Sequence, residues 1–285
     1  MAATTAPRLT PPLSLALPLA LFFTLFVFAP MLLLFWVSLH NGPDMSSVGL
    51  SQYIKFLGDS FNLVVLADTL WLGLKVTLLT VLIGFPLAYS YTLTPARWQG
   101  LLILIIVLPL LTSSVVRTFA WVVILGRQGI INTALLEWGW IAEPLKLLYT
   151  PTGVTVALAQ IELPLMVLPL ITALMNMGPN LRQASLALGA GHWHTFWRVT
   201  LPLSMPGLLA GSLLVFASSV SAFVTQTLVG GGQQMFMPYY MYQQAIQANN
   251  YPFAAAIAML LLASVLVVVI IINALGRRSK GFVNA

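Results

Sequence analysis

The sequence predicts an all-α, polytopic membrane protein with six transmembrane helices, and three observations carry that reading. Hydrophobic residues make up 59% of the 285-residue chain and charged residues only 6%, far outside the range of soluble domains. Mean hydropathy is +0.96. Runs of roughly 20 apolar residues, enough to cross about 30 Å of hydrocarbon as helix, recur along the whole length, whereas the short alternating segments of a membrane β-barrel are missing. The net charge of +6 does not mark a nucleic-acid partner, because the basic residues stand at the ends of apolar runs rather than on one soluble face. With no cysteine in the chain, disulfides and thiolate metal sites are excluded.

The spans fall at about residues 13–38, 69–93, 100–125, 152–177, 207–229 and 252–275, all within a single transmembrane domain. The first run is too long for a signal-peptide core, only Arg8 precedes it, and no small-residue cleavage site stands out, so it reads as an uncleaved anchor. One side of the membrane collects Arg8, Arg97, Arg182, Arg198, Arg277, Arg278 and Lys280 with no acid. The other carries Lys55, Arg127 and Lys146 against Asp44, Asp59, Glu137 and Glu143. The positive-inside bias therefore puts both termini and the segment at about 178–206 in the cytoplasm.

The external segments differ from one another. "GLSQYIKFL" predicts a short surface helix, and Asp68-Thr69 is placed to cap span two. Residues 130–148 alternate at helical spacing and end near Pro144, while 230–251 is uncharged, rich in Gln and Tyr, and able to dip partly into the bilayer. Prolines at 86, 109, 164 and 169 imply kinks, which packed bundles and transport pathways both use.

The segment "LRQASLALGAGHWHTFWRVTLPLSMPG", from Leu181 to Gly207, is unlike the rest. Its first part can be helical, with Leu181, Ala184 and Leu188 on one face, and Gly189 and Gly191 then permit a break or a left-handed turn. A second piece sets Trp193, Phe196 and Trp197 at the membrane surface and His192, His194 and Arg198 toward headgroups or water, with Pro202 and Pro206 ending it. Physics alone leaves two readings: an interfacial loop anchored by its aromatics, or a short helix–turn–helix that docks a cytoplasmic partner. "GAGHWH" lacks the strand–turn–helix context of a dinucleotide fingerprint. His192 and His194 have no acidic or cysteine neighbour, so a solvated pair is favoured over a metal site.

Within this segment "QASLALGAGHWHTFWRVTLP" resembles the EAA loop of ABC-importer permeases: Glu-Ala-Ala, three residues, Gly, nine residues, an aliphatic, one residue, Leu-Pro. The matching positions are Gln183, Ala184, Ser185, Gly189, Val199, Leu201 and Pro202, between spans four and five as in that family. "LPLLTSSVVRTFAWVVILGRQGIINTAL", "GLSQYIKFL" and "LPLSMPGLLAGSLLVFASSVSAFVTQTLVGGG" are similar to the branch that includes the spermidine/putrescine permeases, so the likeness runs from about residue 15 to 275. The chain departs from the motif at Gln183, where the family has glutamate, and at Ser185, where it has alanine.

The resemblance implies a type I ABC-importer permease fold in a bacterial inner membrane. It implies a second homologous permease, two cytoplasmic ATPase subunits and an external solute-binding protein as partners. It makes Gln183, Ala184, Ser185, Gly189, Ala190 and Gly191 the ATPase-docking residues of a coupling helix. A neutral Gln183 offers a weaker hydrogen bond than a charged glutamate. No "GxxxxGK[ST]" phosphate loop is present, so ATP and Mg are expected on the partner ATPase, with no cofactor in this chain. Neither a catalytic triad nor a carboxylate pair stands out, so no enzymatic activity is expected of it.

Three charges lie within the spans: Glu162 about ten residues into span four, Arg117 in the outer half of span three, and Lys75 in the outer part of span two. Charges at that depth face the bundle interior or a wet cavity. Arg117 and Glu162 are expected at similar depths, either as a structural ion pair or with Glu162 lining a path for a cationic solute; Lys75 is expected to snorkel outward. Tyr239 and Tyr240 belong either to an outer gate or to an interfacial aromatic belt. A secondary transporter or channel using Glu162 is the alternative function.

Overall fold

The structure, a computed structural model, describes residues 17–177 and 179–280; Arg8 and the start of the first expected span lie outside them. Six of its helices are long and apolar enough to cross a membrane. They are α1 (Pro18–Ser38), α3 (Ser60–Leu93), the helix from Ser114 to Glu137 that comprises α5 (Ser114–Leu125) and α6 (Ile130–Glu137), α7 (Pro151–Met175), α9 (His192–Ser221) and α12 (Tyr251–Ala274, helical on to Lys280). Shorter helices complete the chain: α2 (Ser51–Gly58), α4 (Ala96–Val107), α8 (Pro179–Ala187), α10 (Phe223–Gly230) and α11 (Met237–Tyr242).

Local chemistry fixes where the central helices start. Asp59 caps α3 by accepting from the Phe61 amide at 3.0 Å, and Thr150 caps α7 from the Gly153 amide at 3.1 Å, with Pro151 in the first turn. Helix α3 thus begins nine residues before Thr69, and Asp68-Thr69 caps nothing. Thr69 is buried within the helix, where its hydroxyl donates to the Val65 carbonyl and accepts from the Met237 amide. The apolar stretch 61–67 simply continues the helix, and the 34 residues of α3 reach about 50 Å at 1.5 Å per residue.

The prolines behave differently from one another. Pro109 marks a true break: α4 passes into a 3-10 turn at Leu108–Leu111, and Ser113 then caps α5 from the Val115 amide at 3.3 Å. Pro86, Pro164 and Pro169 lie inside continuous helices. Pro202 and Pro206 do not end the loop helix either, so span five starts at His192 rather than near residue 207 and stops at Ser221. A π-turn at Phe196–Thr200, closed by the Leu201 amide on the Phe196 carbonyl, widens the helix just ahead of Pro202 and carries it past. Helix α6 stops at Glu137, short of Pro144, because Gly139 adopts φ +70° behind it.

Helices α3, α7 and α9 form the centre, with Leu72, Val76, Met166, Val167, Leu170 and Val215 all buried between them. Their backbones meet at small residues. A Cβ on Gly207 would lie 2.5 Å from the Pro169 carbonyl oxygen, and one on Gly211 3.0 Å from the Met166 carbonyl oxygen. The short helices α2 and α11 sit on α12 through a second cluster of Phe56, Met237, Phe253 and Ile257. The outward apolar side chains, such as Phe26, Leu32, Leu82 and Ile270, form the lipid-facing surface.

Candidate functional site

Two regions stand out, one at the end of the bundle where α8 meets α9 and one midway along the central helices. The first is the α8–α9 hairpin. Helix α8 ends in a Schellman motif: the Gly189 amide bonds the Leu186 carbonyl, and the Ala190 amide bonds the Ser185 carbonyl at 3.1 Å. Gly189 takes the left-handed position at φ +85°. Gly191 does not; it is the extended residue that precedes α9. A Cβ at either glycine would meet nothing within 4 Å of this chain.

Ser185 ties the hairpin together, because its hydroxyl shares a 2.9 Å hydrogen bond with the buried Thr195 hydroxyl. The motif departure at 185 therefore has a local role. Gln183 is exposed and lines a recess of about 390 Å³ with Tyr89, Thr92, Leu174 and Thr200, where the C-terminal ends of α3 and α7 meet the start of α9. Leu181, Leu188, Trp193 and Trp197 are exposed, whereas Phe196 turns inward. Its ring meets Phe85 edge-on at 5.5 Å and Tyr89 at 6.1 Å, and Trp193 stacks on it at 5.9 Å. Aromatic contacts thus connect the hairpin directly to α3. His192, His194 and Arg198 are exposed, as the sequence suggests.

The second region is a cavity of about 440 Å³ between α5, α7 and the end of α9. Glu162, the twelfth residue of α7, lines it and is buried, and the Ser218 side chain lies within reach of its carboxylate. Arg117 lines the same cavity, so the two charges do come to one depth. They do not form an ion pair. Arg117 Nη1 donates instead to the Ile161 carbonyl at 3.1 Å, and its Nε is buried with no partner. Ser114, Ser221 and Thr225 add hydroxyls to the wall; of these only Ser221 lies in the run "SSVS" that interrupts an apolar span.

Tyr239 and Tyr240 are not among the residues lining this cavity. Tyr240 is buried in the outer cluster, and its hydroxyl donates to Asn62 Oδ1 at 2.8 Å. Tyr239 stacks on Tyr242. Lys75 is half-buried with its ammonium over the ring of Trp71, one turn toward the N-terminal end of α3.

Above the cavity the fifth span is interrupted: Ala222, at φ −73° and ψ +67°, separates α9 from α10. The carbonyls freed there are recaptured by the fully buried Gln226, whose Nε2 donates to Ser219 O at 2.7 Å and Val220 O at 3.3 Å. Gln226→Leu is expected to lower stability by about 1–3 kcal/mol, since buried acceptors lose their donor. The check is a thermal unfolding curve of the purified protein in detergent, and a midpoint equal to wild type would refute the role given to Gln226.

With this geometry in view, residues 1–281 match the family described as "Binding-protein-dependent transport system inner membrane component", and the chain belongs to that family. It is a permease subunit of an ABC importer and a multi-pass inner-membrane protein. The chain is 32% identical to the spermidine/putrescine transport system permease protein PotB of Escherichia coli K12, over 82% of this chain and 86% of that protein. PotB of Haemophilus influenzae is also 32% identical, over 82% and 83%. The inner membrane ABC transporter permease protein YdcU of E. coli K12 is 28% identical over 90% and 87%. Among solved structures, a bacterial ABC transporter involved in the import of the acidic polysaccharide alginate superposes with a TM-score of 0.74, covering 93% of this chain and 94% of that chain at 20% identity. That likeness shows a shared fold.

Proposed function

We propose that this chain and a second homologous permease form the membrane path of an importer for a polyamine or a similar small cation. An external solute-binding protein delivers the solute. Two cytoplasmic ATPase subunits, which hold ATP and Mg, drive the cycle; this chain itself needs no cofactor. Both termini and the α8–α9 hairpin lie on the ATPase side, following the distribution of positive charge.

The observation that carries the substrate reading is Glu162, a carboxylate at mid-span, facing a cavity and not consumed by an ion pair. A charge at that depth costs several kcal/mol; Arg117 shares the cavity without bonding the carboxylate, and an entering ammonium group offsets the cost further. The names of the PotB relatives point to the same chemistry. Glu162→Gln is expected to cut spermidine uptake by about tenfold or more with normal folding yield, because truncating one partner of a buried charge pair costs about 2–5 kcal/mol. Uptake at the wild-type rate with normal yield would end this reading.

The hairpin supplies the coupling. Of the docking set Gln183, Ala184, Ser185, Gly189, Ala190 and Gly191, the exposed Gln183, Ala184, Gly189 and Gly191 present small or neutral groups outward while Ser185 and Ala190 are half-buried, and the open space over Gly189 and Gly191 allows a partner surface to approach the backbone. A push on the hairpin travels through Trp193 and Phe196 to α3, and along the continuous α9 to Ser218 beside Glu162. Such a link couples ATPase state to cavity access only if the hairpin seats differently in the two states.

A further inference from the structure

A second cavity adjoins the first. It is an open-sided space of about 600 Å³ below the outer loop, between Leu33 and Val37 of α1, Pro238, Met241 and Tyr242 of α11, and Ala255 of α12. Ser221 and Phe223 line both cavities. They flank Ala222, the non-helical residue at the break in the fifth span. Phe223 is half-buried, and its ring lies 5.4 Å from that of Tyr242, tilted by 44°. The chemistry changes across this ring. One side holds Glu162, Arg117 and four hydroxyl-bearing side chains; the other is almost wholly apolar. Apolar cavities of this kind stay dry, and hydrophobic constrictions stop ions by excluding water.

We propose that Phe223 is the outer seal of the Glu162 cavity, closed against Tyr242 and hinged at the Ser221–Phe223 break. Its side chain divides a dry outer vestibule from a polar inner chamber, so a hydrated cation passes only when the ring leaves Tyr242 and the vestibule wets. The backbone can supply that movement because Gln226, rather than the helical ladder, holds the carbonyls at the break. The proposal rests on the reading that the Glu162 cavity belongs to the translocation path, and it adds the residue that controls entry.

The chain contains no cysteine, so one introduced thiol reports on one place. Leu165→Cys puts it in the inner chamber and Gln247→Cys on the exposed outer loop. The complete importer is reconstituted in liposomes without ATP and exposed from outside to a membrane-impermeant methanethiosulfonate bearing a quaternary ammonium; labelling is read on this chain. Phe223→Ala is expected to speed labelling at 165 by about tenfold or more, through wetting of the constriction. Phe223→Tyr, which keeps the ring, should leave it slow, and labelling at 247 should not change. Should Phe223→Ala fail to assemble, Tyr242→Ala removes the surface that the ring closes on and is expected to speed labelling likewise. Equal rates with and without the ring overturn the proposal, as does rapid reaction with a lipid-soluble maleimide but not with the impermeant reagent, which would mean that the vestibule opens to hydrocarbon. If Glu162→Gln abolishes uptake while these rates stay equal, the path stands and only the seal falls.

Discussion

Gly207→Ala is expected to destabilise the protein by about 1–3 kcal/mol, the usual cost of forcing a methylene into a packed core. The added Cβ would sit 2.5 Å from the Pro169 carbonyl oxygen and from Ala173 Cβ, so α9 and α7 would have to separate along their central contact. Backbone cannot yield as a flexible side chain can. Gly100→Ala provides the contrast, since a Cβ there meets nothing within 4 Å and alanine is the better helix former. Thermal stability in detergent and the yield of monodisperse protein check the pair. Gly207→Ala should lose on both measures and Gly100→Ala on neither; similar behaviour of the two would contradict the close α7–α9 packing.

The second large effect is expected at the hairpin. Gly189→Val places a β-branched residue at φ +85°, where left-handed backbone costs about 1–2 kcal/mol even before branching is counted. The Schellman motif that ends α8 should open and displace the Gln183–Ala190 surface. ATPase activity of the assembled complex is then expected to lose its link to transport, with uptake falling by roughly tenfold for that strain while membrane insertion stays normal. Gly189→Asn tests the cause, because asparagine tolerates left-handed backbone, and it should retain most of the uptake. Equal loss in both variants would shift the explanation from backbone conformation to side-chain crowding against a partner.

Hydropathy carried most of the fold. Apolar runs gave the number of candidate spans, six, because lipid exposure demands near-continuous apolar sequence, but the third, expected at 100–125, breaks at Pro109 and its long helix runs Ser114–Glu137; the EAA-like spacing from Gln183 to Pro202 located the hairpin. Local signals misplaced several ends, each for a physical reason. Asp68-Thr69 looked like a cap, but Thr69 bonds the Met237 amide, 168 residues away, and nothing nearby reveals that partner. Pro202 looked like a stop, but the π-turn before it absorbs the strain. The break at Ala222 carries neither glycine nor proline, and "VSAFV" reads as uninterrupted helix; the buried Gln226 amide makes the break affordable, and its partners emerge only from the fold.

The site was legible in part. Glu162 and Arg117 announced themselves as charges in an apolar span, and counting residues put them at one depth. Their failure to pair follows from Arg117 turning to the Ile161 carbonyl, an acceptor that every residue offers and no sequence marks. Tyr239 and Tyr240 drew attention by composition, yet Tyr240 serves the outer packing through Asn62, 178 residues away. Phe223 gave no signal at all, because one phenylalanine in an apolar helix looks like any other.

The most direct test is uptake of radiolabelled spermidine into liposomes holding this chain with its partner permease and ATPase subunits, with the binding protein supplied outside. Uptake should require Mg-ATP on the ATPase side and the binding protein, should survive collapse of the proton gradient, and should fall with Glu162→Gln. Uptake that persists without the ATPase subunits and disappears with the proton gradient would contradict the account, and would mark Glu162 as the proton carrier of a secondary transporter.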